Sequence, residues 1–278
     1  MAVAEFSGAS PPPMKIRALG QLEVEVGPVG LTHGTWHSAR ALRLFLLLLV
    51  HRFRWVPWDV LLDTLWPEAE PEKALNNLRQ SIHVLRRTLE PGLPRTQPSR
   101  YIRFHNEACR LDPGEGRAYD VEDFEAALQK GERLWHAGRR ADARAPLLEA
   151  VSRYRGDFLT ESPYEEFAAA EREHLRDRAL RAIERLLEVR AAAREWEELA
   201  LLSRRGLALD PYRESHYQHL VLAHLHLGHR REALAGYHEY EAMMINEMGL
   251  PPSERMKALA ERVIALGPAG RSSAGRNP

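Results

Sequence analysis

Cys109 is the one cysteine in this 278-residue sequence. An intramolecular disulfide and a multi-cysteine zinc site are therefore excluded, and stability has to come from packing. Long hydrophobic runs are missing too, since the longest uncharged apolar stretch, residues 44–50, falls far short of the roughly 20 residues that cross a bilayer. Residues 1–13 hold no Lys or Arg and no apolar stretch; they do not read as a secretory signal, and a cytoplasmic location is expected. The sequence has no Gly-x-x-x-x-Gly-Lys-Ser/Thr loop, no Gly-x-Gly-x-x-Gly after a strand and no Gly-x-Ser-x-Gly elbow. Its carboxylates sit in mixed-charge helical stretches where surface pairing accounts for them, so neither an enzyme nor a cofactor is expected. Net charge is zero, with 39 Lys plus Arg against 39 Asp plus Glu.

A composition of 44% hydrophobic and 28% charged residues is that of a globular protein, and the length allows two ordinary domains. The zero charge is unevenly spread. Residues 1–111 carry 14 Lys plus Arg against 10 Asp plus Glu, and residues 112–278 carry 25 against 29. A basic part joined to an acidic part is the pattern of a nucleic-acid module attached to a protein-contacting one.

In the first part, Ile16, Ala18, Leu19, Leu22, Val24 and Val26 alternate as short strands broken at Gly20 and closed by Gly27, Pro28 and Gly30. The period then becomes helical over residues 39–50, 58–66 and about 71–89, with Pro67 stopping the second helix and Pro91-Gly92 ending the third. Residues 101–104 and 108–111, separated by His105-Asn106-Glu107, read as a β-hairpin. Strands, three helices and a hairpin predict a winged helix-turn-helix.

On the third helix, Leu75, Leu78, Ile82, Leu85 and Leu89 recur at spacings of three and four and predict one apolar stripe facing the core. Lys73, Asn76, Asn77, Gln80, His83, Val84 and Arg87 fall on the other side, with Arg79 and Arg86 flanking, and no acidic residue lies between Lys73 and Leu89. Amide and cationic side chains without carboxylates suit a major groove, where Asn or Gln pairs with adenine and Arg with guanine or phosphate. A solvated helix face is the alternative, although such faces usually mix both signs.

Residues 39–48 (Ala-Arg-Ala-Leu-Arg-Leu-Phe-Leu-Leu-Leu), 61–67 (Leu-Leu-Asp-Thr-Leu-Trp-Pro) and 77–89 (Asn-Leu-Arg-Gln-Ser-Ile-His-Val-Leu-Arg-Arg-Thr-Leu) resemble the DNA-binding domain of Streptomyces antibiotic regulatory proteins. Those regulators join an OmpR-type winged helix to a bacterial transcriptional activator domain. The resemblance implies that the helix at 73–89 enters the major groove and that the hairpin at 101–111 is the wing. Asn77, Gln80, His83 and Arg87 become candidate base or phosphate contacts, and Arg103 and His105 sit on the wing. Lys73, Asn76, Arg79 and Arg86 complete the expected DNA-binding set. Arg100-Tyr101 stands where many members have Gly-Tyr. The resemblance also implies double-stranded promoter DNA with repeated sites, a homodimer on that DNA, and RNA polymerase as partner. Larger members carry an ATPase domain; without a phosphate loop, nucleotide switching is not expected here, and with no receiver ahead of the winged helix neither is phosphoaspartate control.

The remainder is helical and repetitive. Aligning Gly138, Arg194 and Gly228 brings Ala143, Leu199 and Ala233 into register five residues on, and Ala150, Gly206 and Tyr240 twelve on. The last two copies are offset by 34 residues, the tetratricopeptide period, and Ala208-Leu209-Asp210-Pro211 matches the end of such a unit. The first two are offset by 56 residues, with the extra length around Tyr154-Arg155-Gly156-Asp157-Phe158-Leu159. That segment, and the ending Met248-Gly249-Leu250-Pro251-Pro252-Ser253, also resemble the family's activator domain. The expected fold is thus mainly α: a disordered extension at 1–13, an α+β winged helix at 14–111, an all-α tetratricopeptide-like domain at 112–266 and a disordered tail at 267–278.

His216, His219, His224, His226, His229 and His238 crowd together. With no His-Glu-x-x-His and no Cys ligand nearby, surface or groove histidines are expected and no metal. Trp36, Trp55, Trp58 and Trp66 are expected to pack in the core, because duplex DNA offers no open base face. Two function classes remain: a sequence-specific DNA-binding regulator, more an activator than a repressor, and a tetratricopeptide interaction scaffold whose winged helix no longer binds DNA.

Overall fold

A computed structural model describes residues 12–94 and 96–265. Residues 1–11 of the expected extension, and the expected tail at 267–278, lie outside the described residues. Pro12 is tied in, because its carbonyl accepts the Tyr101 hydroxyl at 2.9 Å.

The chain is mainly helical, with a small region of sheet toward its N-terminus. In order it runs β1 (Met14–Arg17), β2 (Glu23–Val26), β3 (Val29–Thr32), α1 (Ala39–Val50), β4 (Val56–Pro57), α2 (Trp58–Leu65), α3 (Pro71–Leu89), β5 (Ile102–His105), β6 (Ala108–Leu111) and β7 (Ala118–Tyr119). Helices α4 (Asp120–His136), α5 (Arg140–Arg153), α6 (Ala169–Ala193), α7 (Trp196–Leu209), α8 (Glu214–His226), α9 (Arg230–Met243) and α10 (Glu254–Ala265) follow. One sheet has the order β3-β2-β1-β7 and the other β4-β6-β5.

Contacts divide the chain into two compact units that do not part at residue 111. The first takes the described residues up to Ala126 together with Ser152–Arg176, and the second takes Ala127–Val151 with residues 177–265. The reason lies in the Tyr154–Leu159 segment. Its backbone bonds to the end of β1: Gly20 N donates to Asp157 O at 3.1 Å and Leu159 N to Ala18 O at 2.9 Å. Gly156 lies so close to Gly20 that an added Cβ would meet the Gly20 Cα at 3.3 Å. Asp120 fastens the same corner, its buried carboxylate accepting from Ala18 N and Leu19 N at 2.9 to 3.0 Å.

In the first unit, the pleat of β1 and β2 turns Met14, Ile16, Val24 and Val26 into the core and leaves Lys15, Arg17 and Glu25 outside. Opposed residues pair across the strands, Lys15 with Glu25 at 3.1 Å and Arg17 with Glu23 at 2.6 Å. Such exposed pairs contribute at most about 1 kcal/mol each. Helix α1 is buried along nearly its whole length, from Ala41 to Leu49 except Arg43. Its Ser38 cap accepts from Ala41 N at 3.3 Å.

The second unit repeats one helix turn in register. Gly138, Arg194 and Gly228, the three positions aligned in the sequence, all take left-handed backbone, with φ of 75°, 61° and 74°. At each, the next residue's N–H reaches back five residues: Arg139 to Leu134 O at 3.0 Å, Glu195 to Arg190 O at 3.0 Å and His229 to His224 O at 2.9 Å. This closes the helix end in a Schellman cap. Five residues on, Ala143, Leu199 and Ala233 are each 0% exposed. Small residues allow close helix contact: a Cβ at Gly206 on α7 would lie 2.4 Å from Nδ1 of His216 on α8.

Candidate nucleic-acid interface

Helix α3 begins with Pro71 at its first position, where a missing N–H costs nothing. It buries Ala74, Leu78, Ser81, Leu85 and Leu89. The apolar stripe is therefore rotated from the expected one, because Leu75 and Ile82 are only half-buried and the small residues Ala74 and Ser81 take their place. At 100° per residue the opposite side centres on Lys73, Asn76, Gln80, His83 and Arg87, with Arg79 beside them, and all six are exposed. Lys73, Arg79 and Arg87 have no ion pair among the described residues, and Asn76, Gln80 and His83 have no hydrogen-bonded side chain, so donors and acceptors stand open to a ligand.

Two of the expected contacts are differently engaged. Asn77 is half-buried and its Oδ1 accepts from Arg40 of α1 at 3.4 Å. Arg86 turns off the face onto the loop that follows α3, where Nη2 donates to Pro94 O at 2.7 Å and also to Gln97 O. Its guanidinium thus already holds two carbonyls. The same loop is anchored by Glu90, whose buried carboxylate accepts from Ser99 Oγ, from Arg100 N at 3.2 Å and from Arg100 Nε at 3.0 Å. Ser99 Oγ in turn accepts from Tyr101 N and Ile102 N at 3.2 and 3.0 Å. The end of α3 is thereby tied to the start of β5.

The hairpin pairs Ile102 with Leu111 and His105 with Ala108, so the turn is Asn106-Glu107 and His105 belongs to the strand. Both turn residues have positive φ, 43° and 55°, which matches the right-handed twist of a tight hairpin. Arg103 is half-buried and its Nε donates to Asp112 at 3.2 Å, so it braces the hairpin's base. His105 is exposed near the tip, with Asn106 Nδ2 donating to its Nε2 at 3.1 Å. Cys109 points inward at 0% exposure, and burial pushes its thiol up to about 12.

The tryptophans depart from expectation. Trp55 is 42% exposed, lies 5.8 Å from His105 ring to ring and carries the Arg110 guanidinium 4.8 Å above it. Trp36, Trp58 and Trp66 are only half-buried. Alternation along β6 could have signalled Arg110, since burial of Cys109 turns its neighbour outward; nothing in the sequence signalled its stacking on Trp55. The histidines are dispersed in role: His226 stacks on Trp196 with ring centres 4.0 Å apart, His219 Nδ1–H donates to Ser215 O at 2.7 Å, and His216 is fully buried. Among the described residues no three His, Cys, Asp or Glu side chains could hold a metal ion. No described helix is long and apolar enough to cross a membrane.

The family described as Bacterial transcriptional activator domain matches residues 119–264, just over half of the sequence. The chain belongs to the bacterial transcriptional activator domain family. It is similar to Transcriptional regulatory protein MoaR1 of Mycobacterium tuberculosis, 26% identical over 269 residues that cover 95% of this chain and 84% of the relative. It is also similar to Regulatory protein DnrI of Streptomyces peucetius, 25% identical over 264 residues covering 92% and 93% of the two. Both relatives carry regulator names. Among solved structures, Mycobacterium tuberculosis EmbR in complex with a low-affinity phosphopeptide superposes with a TM-score of 0.68 at 20% identity, covering 93% of this chain. The chain spans 66% of that EmbR chain, and this likeness is one of fold.

Proposed function

We propose that this chain is a sequence-specific, DNA-binding transcriptional activator whose residues 14–111 form a winged helix and whose residues 112–266 form a tetratricopeptide-like partner domain. In this reading α3 lies in the major groove of promoter DNA and the β5–β6 hairpin is the wing. One observation carries it: the side of α3 away from the core exposes Lys73, Asn76, Arg79, Gln80, His83 and Arg87 with their polar groups uncommitted. A solvated helix would pair its cations with carboxylates at neighbouring turns; this face has none between Lys73 and Leu89. Asn76 and Gln80 have the amide pair that reads adenine, Arg87 the fork that reads guanine, and Lys73 and Arg79 supply phosphate contacts.

Asn77 acts through Arg40, Arg86 and Glu90 position the loop between helix and wing, and His105 approaches the DNA at the wing tip. The regulator names of the relatives support a role in transcription regulation; on this reading the chain works in the cytoplasm, binds repeated sites as a homodimer and recruits RNA polymerase. The test is selection of genomic fragments by the purified chain at about 150 mM salt, where phosphate contacts alone no longer hold. A short repeated motif enriched upstream of a few genes, and lost with Gln80→Ala/Arg87→Ala in a variant of unchanged helicity, is expected. Equal enrichment by that variant would overturn the recognition face.

A further inference from the structure

The second unit has a cleft of about 320 Å³ between α8 and α10, walled by Gln218, His219 and Leu222 on one side and Arg255, Leu259 and Arg262 on the other. Arg262 also borders a further hollow of about 460 Å³ that reaches His226, so the groove continues along both helices. Its floor is apolar and its rim is cationic. Arg255 and Arg262 are both exposed and seven residues apart, which places them on one face of α10 about 10 Å apart along its axis. Neither has an ion pair or hydrogen bond among the described residues. Other arginines of this unit are engaged: Arg144 with Glu195 at 2.6 Å, Arg185 with Glu132 at 3.3 Å and Arg213 with Glu184 at 2.9 Å. Of the nearby carboxylates, Glu254 pairs with Lys257 at 2.8 Å, while Glu214 accepts from Tyr240, Ser253 and Gln218 and feels the charge of Arg255 without an ion pair to it.

We infer that the α8–α10 groove is a docking site for an acidic peptide segment of a partner protein, with two carboxylates about 10 Å apart on Arg255 and Arg262 and an apolar side chain between them on Leu222 and Leu259. Charge selects this occupant. The chain's own residues 266–278 carry Arg271 and Arg276 and no Asp or Glu, so like charge opposes their folding into the groove. Apolar burial supplies attraction while the paired arginines fix the register. This site is separate from the α3 face, and its failure leaves the DNA reading untouched.

The experiment displays a random dodecapeptide library on phage and selects it on the full chain, on Arg255→Glu/Arg262→Glu and on Arg255→Lys/Arg262→Lys. One recovered peptide is then labelled for anisotropy titration. Peptides rich in Asp or Glu around a Leu, Ile or Phe are expected from the wild type. The labelled peptide should bind the charge-reversed variant at least tenfold more weakly, and the Lys variant should keep most of the affinity, with DNA binding equal in all three. Both arginines are exposed, so charge reversal leaves the fold intact, which circular dichroism checks. Recovery of no acidic consensus, or equal affinity for the charge-reversed variant, overturns the proposal. So does a concentration-dependent dimer in sedimentation that the charge reversal abolishes, because the occupant is then a second copy.

Discussion

Arg86 and Arg87 are neighbours in sequence, carry the same charge and stand 100° apart on α3. The structure assigns them opposite duties, and replacing each by Ala separates the two. Arg87 is exposed on the face with Gln80 and His83 and has no ion pair. If it meets a guanine, its loss costs about 1 to 3 kcal/mol of binding, roughly 5- to 150-fold. If it meets a phosphate, the slope of log affinity against log salt falls by about 0.9 for each contact removed. The folded state should be indifferent, because no intramolecular bond is broken. Arg86 instead donates to the carbonyls of Pro94 and Gln97. Hydrogen bonds from charged groups contribute about 1.5 to 3 kcal/mol when dry, and partial exposure reduces this to about 1 kcal/mol. At this chain length that lowers the melting temperature by about 2 to 4 °C, with only a small change in DNA affinity and none in the salt slope. Anisotropy titrations at several salt concentrations, together with thermal melts, decide it. Equal losses of DNA affinity in the two variants would refute the assignment of faces on α3.

Other expectations follow from the buried groups. Burial holds His216 down at about 4, against 6.5 for a free side chain. The unfolded chain therefore takes up a proton as pH falls from 6.5 toward 4 that the folded chain refuses, and stability declines through that window. Between pH 7 and pH 5 the loss should be about 2 kcal/mol in denaturant titrations; His216→Phe should flatten it, and an unchanged pH dependence in that variant contradicts the assignment. Gly206→Ala adds a methyl 2.4 Å from the His216 ring and should destabilise by about 1 to 3 kcal/mol, more than the ~1 kcal/mol gained from helix propensity. His216→Ala in the same chain should recover part of that loss, and a more stable Gly206→Ala single variant would show that the helices are not in contact there. Cys109, 0% exposed with its thiol pushed up to about 12, should resist iodoacetamide in the native state and react on unfolding, as mass spectrometry would show.

What could be read from the sequence followed the range of the interaction. Helices α1, α2 and α3 fell within a residue of their expected bounds because periodicity, Ser38, Pro71 and Pro91 are local signals. The repeat register was legible for the same reason: a helix stop followed by a small buried residue five positions on recurs at Gly138, Arg194 and Gly228. Strands of two residues, such as β4 and β7, leave no period to detect. On α3, ranking large apolar residues selected Leu75 and Ile82, whereas the buried line runs through Ala74 and Ser81. The exposed side survived this error, since a rotation of the stripe by part of a turn still leaves Asn76, Gln80 and Arg87 outward. Long-range pairs were out of reach. Nothing local shows that Arg86 reaches the loop beyond Pro91, or that residues 154–159 bond to the end of β1.

With zero net charge the chain cannot rely on a long-range field to gather DNA, and at physiological salt charges farther apart than about 8 Å are screened. Binding must come from where cations are left unpaired. In the first unit Lys15, Arg17, Arg43, Arg52, Arg100 and Arg103 are all engaged by carboxylates. Lys73, Arg79 and Arg87 are not, and they share one side of one helix. Such pairing also makes the outcome of charge reversal specific: exchanging Lys15 and Glu25, which pair across the strands at 3.1 Å, should change stability slightly and leave the salt slope of DNA binding alone, whereas Arg79→Glu removes a phosphate contact and adds a repulsive charge. Weak DNA binding with a flat salt response in the wild-type chain would mean that the open face of α3 serves some partner other than a polyanion.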